Sequence, residues 1–312
     1  MRKLLFFLFS LLSLHTFSHP GIGIVKDRKG NIYYTDLENV WKINPQTLAK
    51  TIAVHNVHTH ELYMDANDNL FGQHSMYSGE QTNTWSYYIW ELDSKGKLDT
   101  IIPVTDGFYI KDFSFVGDKK GNQYWIQHFT TDKIIKKHRD GNSEVLLEGD
   151  LKNVQWMFPL NDKLFYVKED DIFVIDKPGS ARLFAENLNG KIEGGHNSIY
   201  GLWLDKVGNS YVANSDLKRV QKLDSLGKPT NFYQSETNWF PTGGLFDGDG
   251  NLWVLECSTS NEVRVQKIGQ NKLMNHQTQT PKKGSSNFVF LIAGVILIMA
   301  IMVVVGKRKT FN

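Results

Sequence analysis

The chain has 312 residues, 35 basic and 33 acidic side chains and a formal net charge of +2, a balance that gives no reason to expect nucleic acid as a partner. Cys257 is the only cysteine, which excludes an intrachain disulfide and leaves the fold to its hydrophobic core.

In chain order, residues 1–18 read as a secretory signal peptide. Arg2 and Lys3 precede the apolar run LLFFLFSLLSL, and Thr16-Phe17-Ser18 supplies a small-residue cleavage site. One pattern then recurs. It reads DRKGNIYYTD from Asp27, DANDNLFGQH from Asp65, DKKGNQYWIQ from Asp118, DKVGNSYVAN from Asp205 and DGDGNLWVLE from Asp247. A degenerate copy, PLNDKLFYVK, begins at Pro159. The D-x-x-G-N core is a turn signal, since Gly and Asn accept φ > 0. The flanking segments alternate apolar and polar residues, which is strand periodicity. Copies about 40 to 50 residues apart, with strands throughout, predict an all-β six-bladed β-propeller over residues 19–269. The fifth blade is the clearest, with YGLWLD, NSYVAN, RVQKLD and TNFYQS as its four strands. The sixth shows three strands, and residues 271–277 are expected to supply a fourth.

Residues 270–287 are polar with Pro and Gly and read as a linker. Residues 288–305 form an uncharged apolar run of the minimum length to cross a bilayer as a helix. Residues 306–312 form a short tail in which Lys307, Arg308 and Lys309 orient the C-terminus to the cytoplasm. The chain is therefore expected to be exported and anchored by a single membrane pass, with the propeller outside the cytoplasm.

On DKVGNSYVANSDLKRVQKLDSLGK (205–228) and DRKGNIYYTDLENVWKINP (27–45), the repeat resembles NHL-type propellers. More distantly it is similar to the gluconolactonase and senescence-marker-protein superfamily. The resemblance covers residues 20–268 and is specific for fold rather than function. In gluconolactonase-type enzymes a divalent metal sits in the central channel, on acidic and amide ligands five residues before the turn aspartate. That position falls here on Ile22, His60, Phe113, Val154, Tyr200 and Thr242. A hard cation needs several oxygen ligands, so the metal-lactonase reading lacks its site.

Strand alternation assigns residues to faces. The start of strand one, the ends of strands two and four, and the connections between blades share one face, here called upper. His55, His58, His60, His74, His128 and His196 fall on it, and His138 on the opposite one. The second-strand ends add Asp36, His74, Gln127, Lys168, Asn214 and Glu256. Tyr77, Trp85, Phe108, Tyr109, Trp239 and Phe240 crowd the same rim. A concave face with aromatic and a few polar groups is the usual form of a ligand site.

His58-x-His60 places two imidazoles on one side of an extended segment. With His74 as a third ligand they are the candidate metal site, for zinc or copper; the plain alternative is loop histidines bonded to backbone. His60 or His196, near Tyr200 or Glu256, are the candidate acid and base groups, and Asp36 and Glu256 a candidate pair across the seam between the last and first blades. The ligand-binding candidates are His58, His60, His74, His128, Asp36, Asn214, Glu256, Tyr200 and Trp239. The expected function is a membrane-anchored extracytoplasmic module that binds a small molecule, a glycan or a protein. The alternative is a hydrolase or lyase, gluconolactonase-like or streptogramin-lyase-like, on the same face. The turn residues Asp27, Asn31, Asp65, Asn69, Asp205, Asn209, Asp247 and Asn251 are read as structural, and Cys257 as a buried thiol.

Overall fold

Each D-x-x-G-N repeat closes a hairpin in the same way. The aspartate carboxylate accepts the amide N–H and the side-chain N–H of the asparagine four residues on, at 2.8 and 2.7 Å for Asp27 and Asn31. The same pair of bonds recurs at Asp65, Asp118, Asp205 and Asp247. The residue before the asparagine takes positive φ, +83° at Gly30 and +89° at Gly208, where a Cβ would be strained. Where the residue two past the asparagine is Tyr or Trp, it also bonds the aspartate. Tyr124, Tyr211 and Trp253 donate to Asp118, Asp205 and Asp247. The aspartates are thus committed to the turns, as the sequence implies. The degenerate copy uses other chemistry: Asn161 and Asp162 both take positive φ in a two-residue hairpin turn.

The structure is a computed structural model that describes residues 20–77, 85–105, 112–128, 130–190, 198–271 and 273. His196, Phe108, Tyr109, residues 272 and 274–277 of the expected last strand, most of the linker, the signal peptide and the expected transmembrane helix lie outside the described residues; Asn271 and Leu273, the described part of that expected strand, are helical instead. Among the described residues no helix is long and apolar enough to cross a membrane.

The strands form six antiparallel sheets in chain order. The first holds β1 (Ile24–Lys26), β2 (Ile32–Thr35), β3 (Val40–Ile43) and β4 (Lys50–Val54). The second holds β5 (Leu62–Met64), β6 (Leu70–Tyr77), β7 (Trp85–Leu92) and β8 (Leu98–Thr105). The third holds β9 (Asp112–Gly117), β10 (Gln123–Gln127), β11 (Asp132–Lys137) and β12 (Ser143–Gly149). The fourth holds β13 (Val154–Leu160), β14 (Lys163–Lys168), β15 (Asp171–Lys177) and β16 (Ser180–Ala185). The fifth holds β17 (Ile199–Leu204), β18 (Ser210–Asn214), β19 (Arg219–Leu223) and β20 (Pro229–Gln234). The sixth holds β21 (Trp239–Phe246), β22 (Leu252–Ser258) and β23 (Val263–Ile268).

The first strand of each sheet touches the first strand of the next, and β21 touches β1, so the six sheets close a ring around a central channel. This is a six-bladed β-propeller. Its core is divided among the blade interfaces. Val40 and Val54 meet Leu70 and Trp90 between the first two blades, and Val167 and Ile172 meet Ile199 and Val212 between the fourth and fifth. Ile24, Ile32 and Tyr34 meet Trp253 and Leu255 between the first and last. Each fully buried side chain of this size adds roughly 1.5–3 kcal/mol, so every seam is held by apolar burial.

Ring closure needs no shared sheet among the described residues: the first blade takes all four strands from the N-terminal segment and the sixth has three. Thr242 Oγ1 donates to the Gly21 carbonyl at 2.9 Å, and Lys26 Nζ donates to the Phe246 carbonyl. At Gly243 the backbones come so close that a Cβ would lie 2.6 Å from the Ile22 oxygen.

Candidate ligand-binding face

The connection between the first two blades, residues 55–61, is pinned at almost every step. Val57 N–H donates to the Glu38 carbonyl, and the His58 carbonyl accepts from Ser75. The Thr59 carbonyl accepts from Thr35 Oγ1 at 2.6 Å. The His60 carbonyl accepts from both Ile22 and Gly23. Thr59 turns inward, fully buried, and takes the Trp90 indole N–H at 3.1 Å. His58 and His60 therefore share the other side of the segment, as the i, i+2 spacing implies. Their Nε2 atoms lie 3.1 Å apart, with the rings at 83°. His58 Nδ1 donates to the Leu37 carbonyl at 3.1 Å, since a carbonyl can only accept. Neutral His58 therefore keeps a lone pair on Nε2, and His60 Nε2–H donates to it.

His74 comes close to this pair without joining it. Its Nδ1 accepts the His58 amide N–H at 2.9 Å, and its ring stacks on Tyr88 at 4.7 Å. It does not end its strand as the sequence implies. β6 continues to Tyr77, because the β6–β7 pairing runs past His74↔Tyr88 to Tyr77↔Trp85. The expected three-histidine metal set is thus not assembled. Among the described residues, no group of three or more His, Cys, Asp or Glu side chains is placed to hold a metal ion. Burial first, and the neighbouring His58 second, lower the His74 pKa from its ordinary value.

His128 is separate from these three. Its Nδ1 lies 2.9 Å from Asp132 Oδ1 in its own blade, and Asp132 also accepts the Leu151 amide. Burial alone would raise the Asp132 pKa; the His128 bond and the Leu151 amide outweigh it and hold it low. His138 is bonded to Glu144, and His55 is exposed.

The carboxylates and amides of the rim are occupied. Asp36 caps the β2–β3 turn through the amides of Glu38 and Asn39 and takes the Trp41 indole N–H. Asn214, fully buried, donates to the Leu188 carbonyl and accepts from the Leu217 amide. Glu256 is 0% exposed and accepts Arg264 Nε at 2.8 Å, with the Tyr233 hydroxyl at 3.4 Å. Arg264 reaches Glu236 at 3.0 Å and lies 4.0 Å over the Trp239 ring. Burial opposes the charge of Arg264, but Glu256 and Glu236 outweigh it and raise its pKa. Asp36 and Glu256 therefore do not form the acid and base pair that the seam suggested. Asp36 bonds within its own blade, while Glu256 turns towards β20.

Sequence reasoning missed Arg264. The signal was present in the hairpin register, since Glu256 and Arg264 are direct cross-strand partners. Tyr200, at the start of an inner strand, packs 6.0 Å from Trp156. Burial first, then Asp216 and Cys257, push its phenol up, so it stays a protonated donor at neutral pH. Of the positions where the resemblance would put metal ligands, Ile22 and Val154 are buried apolar groups. The Thr242 hydroxyl is spent on Gly21. Cys257 is buried, and burial raises its thiol pKa, which makes it unreactive.

Fold and site together define a six-bladed β-propeller whose upper rim joins aromatic and imidazole groups to internally satisfied acids. No protein-family model matches the sequence, and no curated protein matches it in sequence. Solved propellers match in three dimensions. An auxiliary nutrient binding protein from Bacteroides thetaiotaomicron aligns with a TM-score of 0.59 at 9% identity, over 80% of this chain and 69% of that one. Its counterpart from Bacteroides ovatus gives 0.59 at 12% identity, over the same shares. A gluconolactonase from Xanthomonas campestris gives 0.57 at 12% identity, over 80% of this chain and 85% of that one. At these identities the likeness establishes the fold.

Proposed function

We propose that the propeller is a binding module that holds an extracytoplasmic small molecule or glycan on its upper face. The observation that carries this reading is the division of labour at the rim. The acids Asp36 and Glu256 are consumed by internal bonds, whereas His58, His60, Tyr200 and Trp239 keep partly exposed rings. Such rings give apolar contact with a polar tip, which suits a sugar or a ring-bearing solute. The nutrient-binding propellers of similar fold support a solute as ligand. Residues 1–18 and 288–305 would export the propeller and tether it to the membrane. Resistance of the full chain to alkaline extraction, with the propeller open to external protease, is the expected result; extraction into the soluble fraction sinks the anchor.

The ligand reading is tested by thermal shift of the full chain against sugars, lactones and short peptides, since a ligand of the native state raises Tm. The response is expected to disappear in Tyr200→Phe and Trp239→Phe. A shift that survives both variants places the ligand elsewhere. The second reading is a hydrolase or lyase. It is favoured by His58, whose tautomer the Leu37 carbonyl fixes so that Nε2 is a base. The gluconolactonase of similar fold suggests lactones as substrates to try. Turnover abolished by His58→Gln supports that reading, and no turnover of any lactone leaves the binding module.

A further inference from the structure

His58 carries the arrangement by which proteins prepare an imidazole for a metal. Its Nδ1–H is fixed on a backbone carbonyl, that of Leu37, which sets the tautomer and leaves the Nε2 lone pair facing His60. The second imidazole already stands at the right distance. With metal–nitrogen bonds of about 2.0–2.1 Å, two nitrogens 3.1 Å apart subtend an angle of about 100° at a shared ion. That lies between the square-planar and tetrahedral values, and a turn of the His60 ring brings its Nε2 to the point beside the fixed His58. The backbone between them is immobilised by the bonds from Thr35, Ile22, Gly23 and Ser75, so little conformational freedom is lost on binding.

From this geometry we propose that His58 Nε2 and His60 Nε2 form a two-imidazole clip for a late first-row divalent ion, with copper(II) held most tightly. The ion takes the place of the proton now shared between the rings, and that proton moves to Nδ1 of His60. His74 is a positioning residue: its Nδ1 holds the His58 amide. Two protein ligands leave the remaining coordination positions to water or to a chelating solute at the upper face. The clip shares His58 and His60 with the proposed ligand face but does not rest on that reading, since the metal is titrated in the absence of any solute.

The test is copper(II) titration of the full chain, read by calorimetry and by electron paramagnetic resonance. The expected result is one saturable site whose spectrum carries coupling to two imidazole nitrogens. His58→Ala and His60→Ala should each weaken it by about 100-fold or more, since losing a ligand costs at least what losing its outer support does. His138→Ala, on the opposite face, should leave it unchanged. His60→Gln keeps a hydrogen-bonding side chain beside His58, so loss of copper with an unchanged Tm separates ligation from folding. Copper bound equally well by His60→Gln and the parent chain overturns the proposal, as does a parent chain with no saturable site or no imidazole coupling.

Discussion

At Glu256 a carboxylate with no solvent contact is held by a single guanidinium, and its surroundings decide what mutation does. Removing one partner of a buried pair leaves the other uncompensated, at a cost of about 3 kcal/mol. Arg264→Met should therefore lower unfolding stability by about that much in urea titration, while Glu256→Gln, which keeps an acceptor for Arg264, should lose less. Equal losses would mean that the charge on Glu256 is not what Arg264 compensates. His74 sets a pH dependence. Its folded pKa lies below the ordinary 6.5, so on acidification the unfolded chain takes up the proton first. The stability is fully present above about pH 6.5 and is lost as pH falls through the lower folded value. Tm should thus begin to drop as the pH is lowered below about 6.5, and His74→Gln should flatten the slope. An unchanged slope would assign the effect to other histidines.

Among the elements, the hairpin turns were the most legible. The D-x-x-G-N signature and its variant DANDN at Asp65 mark five turns, because all their bonds span six residues or fewer; the aromatic that bonds the aspartate at four of them went unread. Asp205 receives Val207, Asn209 and Tyr211. Asp205→Ala should cost about 2 kcal/mol, the scale of hydrogen bonds to a charged group, measured as a drop in denaturation midpoint; no change would make the motif mere turn statistics. The fifth blade appears within a residue of its predicted strands, since alternation is local. The β6–β7 hairpin was misjudged because its length is set by pairing with β7, beyond the point where the turn motif carries information. A second turn, D-S-x-G-K, went unread. It closes β7–β8 and β19–β20 with backbone amides alone donating to the aspartate, at Asp93 and Asp224.

For the whole molecule, closure is a matter of backbone proximity. A Cβ at Gly243 would press on the Ile22 carbonyl at 2.6 Å, and one at Gly201 would meet Gly243 and the Thr242 carbonyl at 2.9 Å. Gly243→Ala should destabilise the ring by about 1–3 kcal/mol, the usual cost of overpacking. Thermal unfolding checks this, and a Tm equal to that of the parent chain would show the seam to be looser than drawn. The same seam explains why the first blade can begin with its own inner strand. Among the described residues, six apolar interfaces hold the ring without a strand exchanged between the first and last blades.

The repeat, its period and its alternation determined the propeller, the blade order and the face on which the histidines gather, because those properties follow from turns and from strand direction. The identity of the working groups was decided by tertiary structure. Whether Glu256 is an acid or half of a buried ion pair depends on Arg264 across a hairpin. Whether His74 joins His58 and His60 depends on an amide sixteen residues away. Partner choice is a long-range property of register and blade stacking, and sequence spacing does not encode which lone pair is already taken.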